Sequence, residues 1–124
     1  RRLEKVIPEV RSTDVAARLA AALVDDGDTE GALERLTFVV ERRPEDRVAR
    51  RKLAELLVEG EETKRALEHY RRLADDGAPE EKLADTRTVA QLCANVGDEA
   101  GARAAYARVV ELDPEDLEAV ERLR

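Results

Sequence analysis

One stretch of this chain occurs twice. Residues 27–46 read GDTEGALERLTFVVERRPED, and residues 97–116 read GDEAGARAAYARVVELDPED. Gly27-Asp28 recurs as Gly97-Asp98, Gly31-Ala32 as Gly101-Ala102, and Val39-Val40-Glu41 as Val109-Val110-Glu111, all at an offset of 70. Pro44-Glu45-Asp46 recurs as Pro114-Glu115-Asp116 at the same offset. A weaker copy lies between them around Ala66, 34 residues after Ala32 and 36 before Ala102. A unit of that length cannot bury its own apolar face. It must stack on its neighbours, which is the signature of a repeat architecture.

Within each unit the apolar residues keep helical spacing. Val15, Ala16, Leu19, Ala20, Leu23 and Val24 form a first stripe, with Ser12, Thr13 or Asp14 expected to cap its helix. Gly27 stops that helix and Asp28 or Thr29 caps the next, which carries Ala32, Leu33, Leu36, Val39 and Val40 and ends before Pro44. So short a turn makes the two helices antiparallel. The second unit repeats the plan with Val48, Leu53, Ala54, Leu56 and Leu57, a break at Gly60, then Ala66, Leu67, Tyr70 and Leu73. The third begins near Pro79 or Glu80 with Leu83, Val89, Ala90, Leu92 and Cys93, turns at Gly97, and continues with Ala102, Tyr106, Val109 and Val110. Residues 1–11 read as the tail of a preceding helix, with Leu3, Val6 and Ile7 in a stripe and Pro8 expected to end or kink it. The repeats are expected at 12–45, 46–79 and 80–114, in one solenoid domain. A last helix over 115–124, with Leu117, Val120 and Leu123, is either a cap or the start of another repeat.

These residues resemble the tetratricopeptide repeat. The first copy supplies Leu19-Ala20, Leu23, Ala32, Leu36, Val39 and Pro44; the second Leu53-Ala54, Leu57, Ala66, Tyr70 and Leu73, with Pro79 one place late. The third supplies Val89-Ala90, Cys93, Ala102, Tyr106, Val109 and Pro114. The resemblance covers about residues 13–114; Ala16, Arg50 and Thr86 stand where the family usually has an early tryptophan. It implies an all-α fold, a right-handed α-solenoid of antiparallel helix pairs, with a concave groove lined by the first helix of each pair. Ala32, Ala66 and Ala102 are then the places of close helix approach. Gly27, Gly97, Pro44 and Pro114 are the turn and stop residues.

Composition narrows the function. Charged residues are 41% of the chain with both signs interspersed, and the net charge of -7 argues against a nucleic-acid footprint, which needs a basic stripe. No apolar run reaches membrane-spanning length and no signal-peptide pattern opens the chain, so no membrane insertion is expected of this segment. The lone Cys93 excludes an internal disulfide and a multi-thiolate metal site, and leaves cytoplasm and periplasm both open. With no methionine present, the chain is expected to be a segment of a larger, bacterial protein.

No residues assemble into a catalytic set, and no cofactor or metal is expected. His69 reads as an exposed outer-face residue and Cys93 as a buried inert thiol. Asp25-Asp26, Asp75-Asp76 and Glu80-Glu81 read as helix-end charges. The cluster Arg42-Arg43, Arg47, Arg50-Arg51-Lys52 is diluted by Glu41, Glu45 and Asp46. The resemblance places Ala17 and Ala21, Arg51 and Glu55, and Arg87 and Gln91 on the groove side of successive first helices. The lysine/asparagine/arginine set with which some members grip a C-terminal carboxylate is not matched, because Ala17, Ala21, Lys52, Ala84 and Thr88 hold those places. The expected function is a protein–protein interaction scaffold whose groove takes an acidic or amphipathic peptide. Glu55 is expected to quench Arg51 at i,i+4, leaving Arg87 the stronger cation. The alternative is a self-assembling unit, a homo-oligomer stacked through Leu3/Val6/Ile7 and Leu117/Val120/Leu123.

Overall fold

A computed structural model describes the backbone from Arg2 to Arg124 and the side chains from Arg11 onward. The apolar stripe expected at Leu3, Val6 and Ile7 lies outside the described side chains. The described residues form seven helices and no strand: α1 (Arg2–Asp25), α2 (Thr29–Arg42), α3 (Arg47–Glu59), α4 (Thr63–Asp76), α5 (Pro79–Asn95), α6 (Glu99–Leu112) and α7 (Leu117–Arg122). The chain is all-α, as the spacing of its apolar residues requires.

Two compact units divide at α3, Arg1–Leu57 and Val58–Arg124. In the first unit α1 packs on α2. Its core is small-residue-rich: Ala16, Ala20, Ala32, Leu36, Val39, Ala49, Leu53, Ala54 and Leu57 are all buried. In the second unit α5 packs on both α4 and α6, and α7 closes on α6. There Ala66, Leu67, Tyr70, Leu73, Val89, Ala90, Cys93, Ala102, Tyr106 and Val109 are buried. Alanines let helix axes approach closely, so each core is dense despite few aromatic rings.

The first helix departs from the sequence expectation. α1 runs unbroken through Pro8, and Thr13, expected to cap, is instead buried at 3% exposure inside it. A proline forfeits one ladder hydrogen bond and crowds one carbonyl, a cost of about 3 kcal/mol that a long helix can absorb. Three expected stripe residues also differ: Val15 is 60% exposed, Leu19 38% and Val48 82%. In α7 it is Ala119, not Leu117, that is buried, and Leu117 is 76% exposed. A 3.6-residue period marks a potential face, but only a neighbouring element covers it.

The turns inside the pairs explain the duplicated motif. Gly27 and Gly97 adopt φ of 81° and 79°, the left-handed conformation that stops a helix. Asp28 and Asp98 then cap α2 and α6, each carboxylate accepting from the Gly31 or Gly101 N–H at 3.0 and 2.9 Å. A Cβ on Gly31 would stand 2.7 Å from the Asp28 carboxylate oxygen, and one on Gly101 would collide with that of Asp98. Gly-Asp-x-x-Gly is therefore one device, in which the second glycine makes room for the cap. The middle copy lacks it. α3 ends at Glu59, beside the expected Gly60, but the left-handed residue is Glu61 at φ 62°, and Glu62 makes no side-chain cap.

The second half of the motif serves the next helix. Asp46 and Asp116 accept from the N–H groups of Ala49 and Ala119 at 3.0 and 3.1 Å, so Pro-Glu-Asp ends one helix and caps the one after it.

Candidate interaction surface

The first helices carry the candidate residues in matching environments. Ala17, Arg51 and Arg87, equivalent by the repeat spacing, are all half-buried; Ala21, Glu55 and Gln91, one turn further on, are all exposed. Behind them lie buried residues of the same helices, Ala20, Ala54 and Ala90 among them. The faces are thus held by core packing on one side and open on the other.

Ion pairs tie α1 and α5 to the loops that leave their pairs. In the first unit the Arg43 guanidinium of that loop donates to Asp14 of α1 at 2.6 Å. In the second unit the polarity is reversed: Arg87 of α5 donates to Asp116 at 2.6 Å and to Asp113 at 3.1 Å. Arg87 was expected to be the stronger cation of the two arginines, and here two carboxylates share it. Glu55 lies 3.9 Å from Lys52 on the same helix. Periodicity within a helix could not reveal partners 26 and 29 residues away.

Asp116 is held below the ordinary aspartate range, first by the Ala119 N–H and next by the Arg87 guanidinium. A depressed value means that the ionised form favours the folded chain. That stabilisation is present above the ordinary value of about 3.9 and is lost as pH falls through the lowered folded value. Thermal melts of the parent and Asp116→Asn should thus differ at neutral pH and converge on acidification below about pH 4. A gap that stayed constant down to about pH 2 would show that the Asp116 charge does not matter.

A match to the family profile described as "Tetratricopeptide repeat" extends over residues 23–95, more than half of the chain. The chain belongs to the tetratricopeptide repeat family. Solved structures agree at the level of the fold. One of the MamA protein is 17% identical with a TM-score of 0.68, covering 90% of this chain and 60% of that one. A tetratricopeptide repeat protein from Parabacteroides merdae ATCC 43184 is 19% identical with a TM-score of 0.69, covering 91% and 44%. The C-terminal part of a TPR repeat-containing protein from Cytophaga hutchinsonii is 21% identical with a TM-score of 0.65, covering 90% and 47%. The chain spans between 44% and 60% of the length of these structures. No curated protein matches the chain.

The slots of the tetratricopeptide repeat account for several polar residues. In the early-tryptophan slot, Ala16, Arg50 and Thr86 are all buried. Arg50 reaches the Pro44 carbonyl at 3.0 Å, and Thr86 donates to the Lys82 carbonyl at 2.6 Å. Other cations of the expected cluster are also taken up locally. Arg42 stacks on Phe38, its guanidinium 3.6 Å from the ring centroid, and Arg43 is held by Asp14. Cys93 is fully buried, with the Arg71 guanidinium 3.5 Å from its sulfur. His69 is half-buried rather than exposed. Asp85, buried at 1%, was not foreseen, since nothing in its sequence surroundings separates it from a surface aspartate. Among the described residues no group of three His, Cys, Asp or Glu could hold a metal ion, and no helix is long and apolar enough to cross a membrane.

Proposed function

We propose that this chain is a protein–protein interaction scaffold that holds a segment of a partner against the exposed faces of its first helices. Tetratricopeptide repeats generally mediate protein–protein interaction, and the family is typically a non-catalytic scaffold fold. The observation that carries the finer reading is the agreement in exposure at equivalent places. Ala17, Arg51 and Arg87 match one another, as do Ala21, Glu55 and Gln91. Small alanines on α1 admit a backbone closely, while Arg51 and Arg87 supply planar donors for carboxylates or carbonyls. The partner segment is therefore acidic or amphipathic, and its affinity falls with salt because exposed charges are screened.

A peptide selected from a random library on the full chain supplies the test. The double variant Arg51→Ala plus Arg87→Ala removes one cation from each unit. It should bind that peptide at least about tenfold more weakly, a loss of about 1.4 kcal/mol. Far-ultraviolet circular dichroism should stay unchanged, since the substituted side chains are not core. Undiminished affinity in the double variant would place the contact off the first-helix faces.

A further inference from the structure

The Arg87 guanidinium is occupied by carboxylates of its own chain. Its Nε donates to Asp116 at 2.6 Å and its Nη2 to Asp113 at 3.1 Å. One cation thus faces two anions, and the trio is net negative. The two carboxylates are not held alike. Asp116 is 12% exposed and also accepts from the Ala119 N–H at 3.1 Å, which starts α7. Asp113 is 33% exposed, and its other bond comes from the Glu115 N–H at 3.2 Å within the same loop. Asp116 is fixed by the helix it caps, whereas Asp113 is the arm that is able to let go.

The copy 70 residues earlier serves as an internal control. Arg43 stands at the Asp113 place and Ala17 at the Arg87 place. The backbone is the same in both copies. The N–H groups of Arg43 and Asp113 each donate to a valine carbonyl, Val39 or Val109, at 2.7 Å. Their own carbonyls accept from Asp46 and Asp116 at 2.9 and 3.1 Å. Asp46 caps α3 at 3.0 Å with an alanine at the Arg87 place. Neither the turn nor the cap therefore needs an aspartate at position 113 or an arginine at position 87. In the first unit the tie from loop to first helix runs from Arg43 to Asp14 and leaves the Arg87 place clear. In the second unit the tie is made on Arg87 itself.

We infer that Asp113 is an autoinhibitory carboxylate, which occupies the donor edge of Arg87 that an acidic partner segment needs. The inference rests on the reading that the first-helix faces take such a segment. A carboxylate arriving at the trio meets one cation and two anions, so repulsion cancels the attraction. With Asp113 displaced or uncharged it meets a balanced pair whose guanidinium has donors to spare. Exchange is feasible because Arg87 and Asp113 both face solvent, where an ion pair contributes little. A segment that brings its own carboxylate, together with contacts elsewhere on the face, takes the place of Asp113.

The test selects a peptide on the Asp113→Asn variant from a random library with one fixed glutamate. The selected peptide, labelled with fluorescein, is then titrated by fluorescence anisotropy at low salt. Asp113→Asn keeps the size of the side chain and removes its charge. The parent should bind the peptide at least about threefold more weakly than this variant. Glu115→Gln makes the same change of net charge two residues away, and should recover little of that difference. Adding Arg87→Ala to Asp113→Asn should abolish the gain, with folding of each variant checked by circular dichroism. Equal affinity in the parent and Asp113→Asn would overturn the inference. So would an equal gain in Glu115→Gln, a gain that survives Arg87→Ala, or a library that yields no binder. The scaffold reading fails separately, on the peptide selected against the parent chain. If that peptide loses affinity in Arg51→Ala plus Arg87→Ala while Asp113→Asn changes nothing, only the autoinhibition is wrong.

Discussion

Ala66→Leu lowers the melting temperature by about 4–12 °C, and Ala78→Leu leaves it within about 2 °C of the parent. Both substitutions add the same three carbons to an alanine. Ala66 has zero exposure, in the middle of the buried face of α4, so the extra carbons have no space to enter. They must displace a helix or force a poor rotamer, and such overpacking costs about 1–3 kcal/mol. Ala78 caps the start of α5 and is exposed, so the added side chain meets solvent. Differential scanning calorimetry on both variants decides the matter. Equal melting temperatures would mean that Ala66 does not occupy the place that Ala32 and Ala102 occupy in their repeats.

Glu61→Gly raises the melting temperature, and Gly97→Ala lowers it, through the same backbone slot. Gly27, Glu61 and Gly97 each stand five residues before the repeat alanine, and all three have φ between 62° and 81°. A left-handed residue with a side chain carries about 1–2 kcal/mol of strain relative to glycine. Glycine's greater freedom in the unfolded chain offsets part of that. A net gain of about 0.5–1 kcal/mol is expected for Glu61→Gly, or about 2–4 °C. A Cβ at Gly97 would meet nothing within 4 Å, so the loss in Gly97→Ala is conformational and not steric. It should amount to about 1 kcal/mol. Changes of the same sign in the two variants would show that the turn conformation is not what they report.

Much of this architecture was written in the linear order of residues, because its determinants are local. Gly27-Asp28 and Gly97-Asp98 announce a left-handed stop followed by a cap, and these interactions span at most five residues. The 3.6-residue spacing of small and aliphatic side chains specifies helices, and the recurrence of Ala32, Ala66 and Ala102 specifies that the pairs repeat. Those features identified an all-α repeat of tetratricopeptide type without coordinates. Pro8 marks the limit of local rules, since α1 continues through it. Glu61 marks another, since its left-handed conformation belongs to the turn between α3 and α4 and not to its own preference.

What the tertiary structure alone decided concerns neighbours distant in the chain. Val15, Leu19 and Val48 keep the period of core residues yet remain exposed, because burial depends on an element arriving to cover them. Asp85 stands at the repeat place of Val15, is polar, and is buried nonetheless. Arg87 was legible as a first-helix cation, but its hold on Asp113 and Asp116 arises only when α5 is packed on α6 and the chain turns into α7. Periodicity assigns a side chain to a face of its own helix. Whether that face meets a helix, an ion pair or solvent is set by how the helices stack, and that depends on contacts that no local spacing encodes.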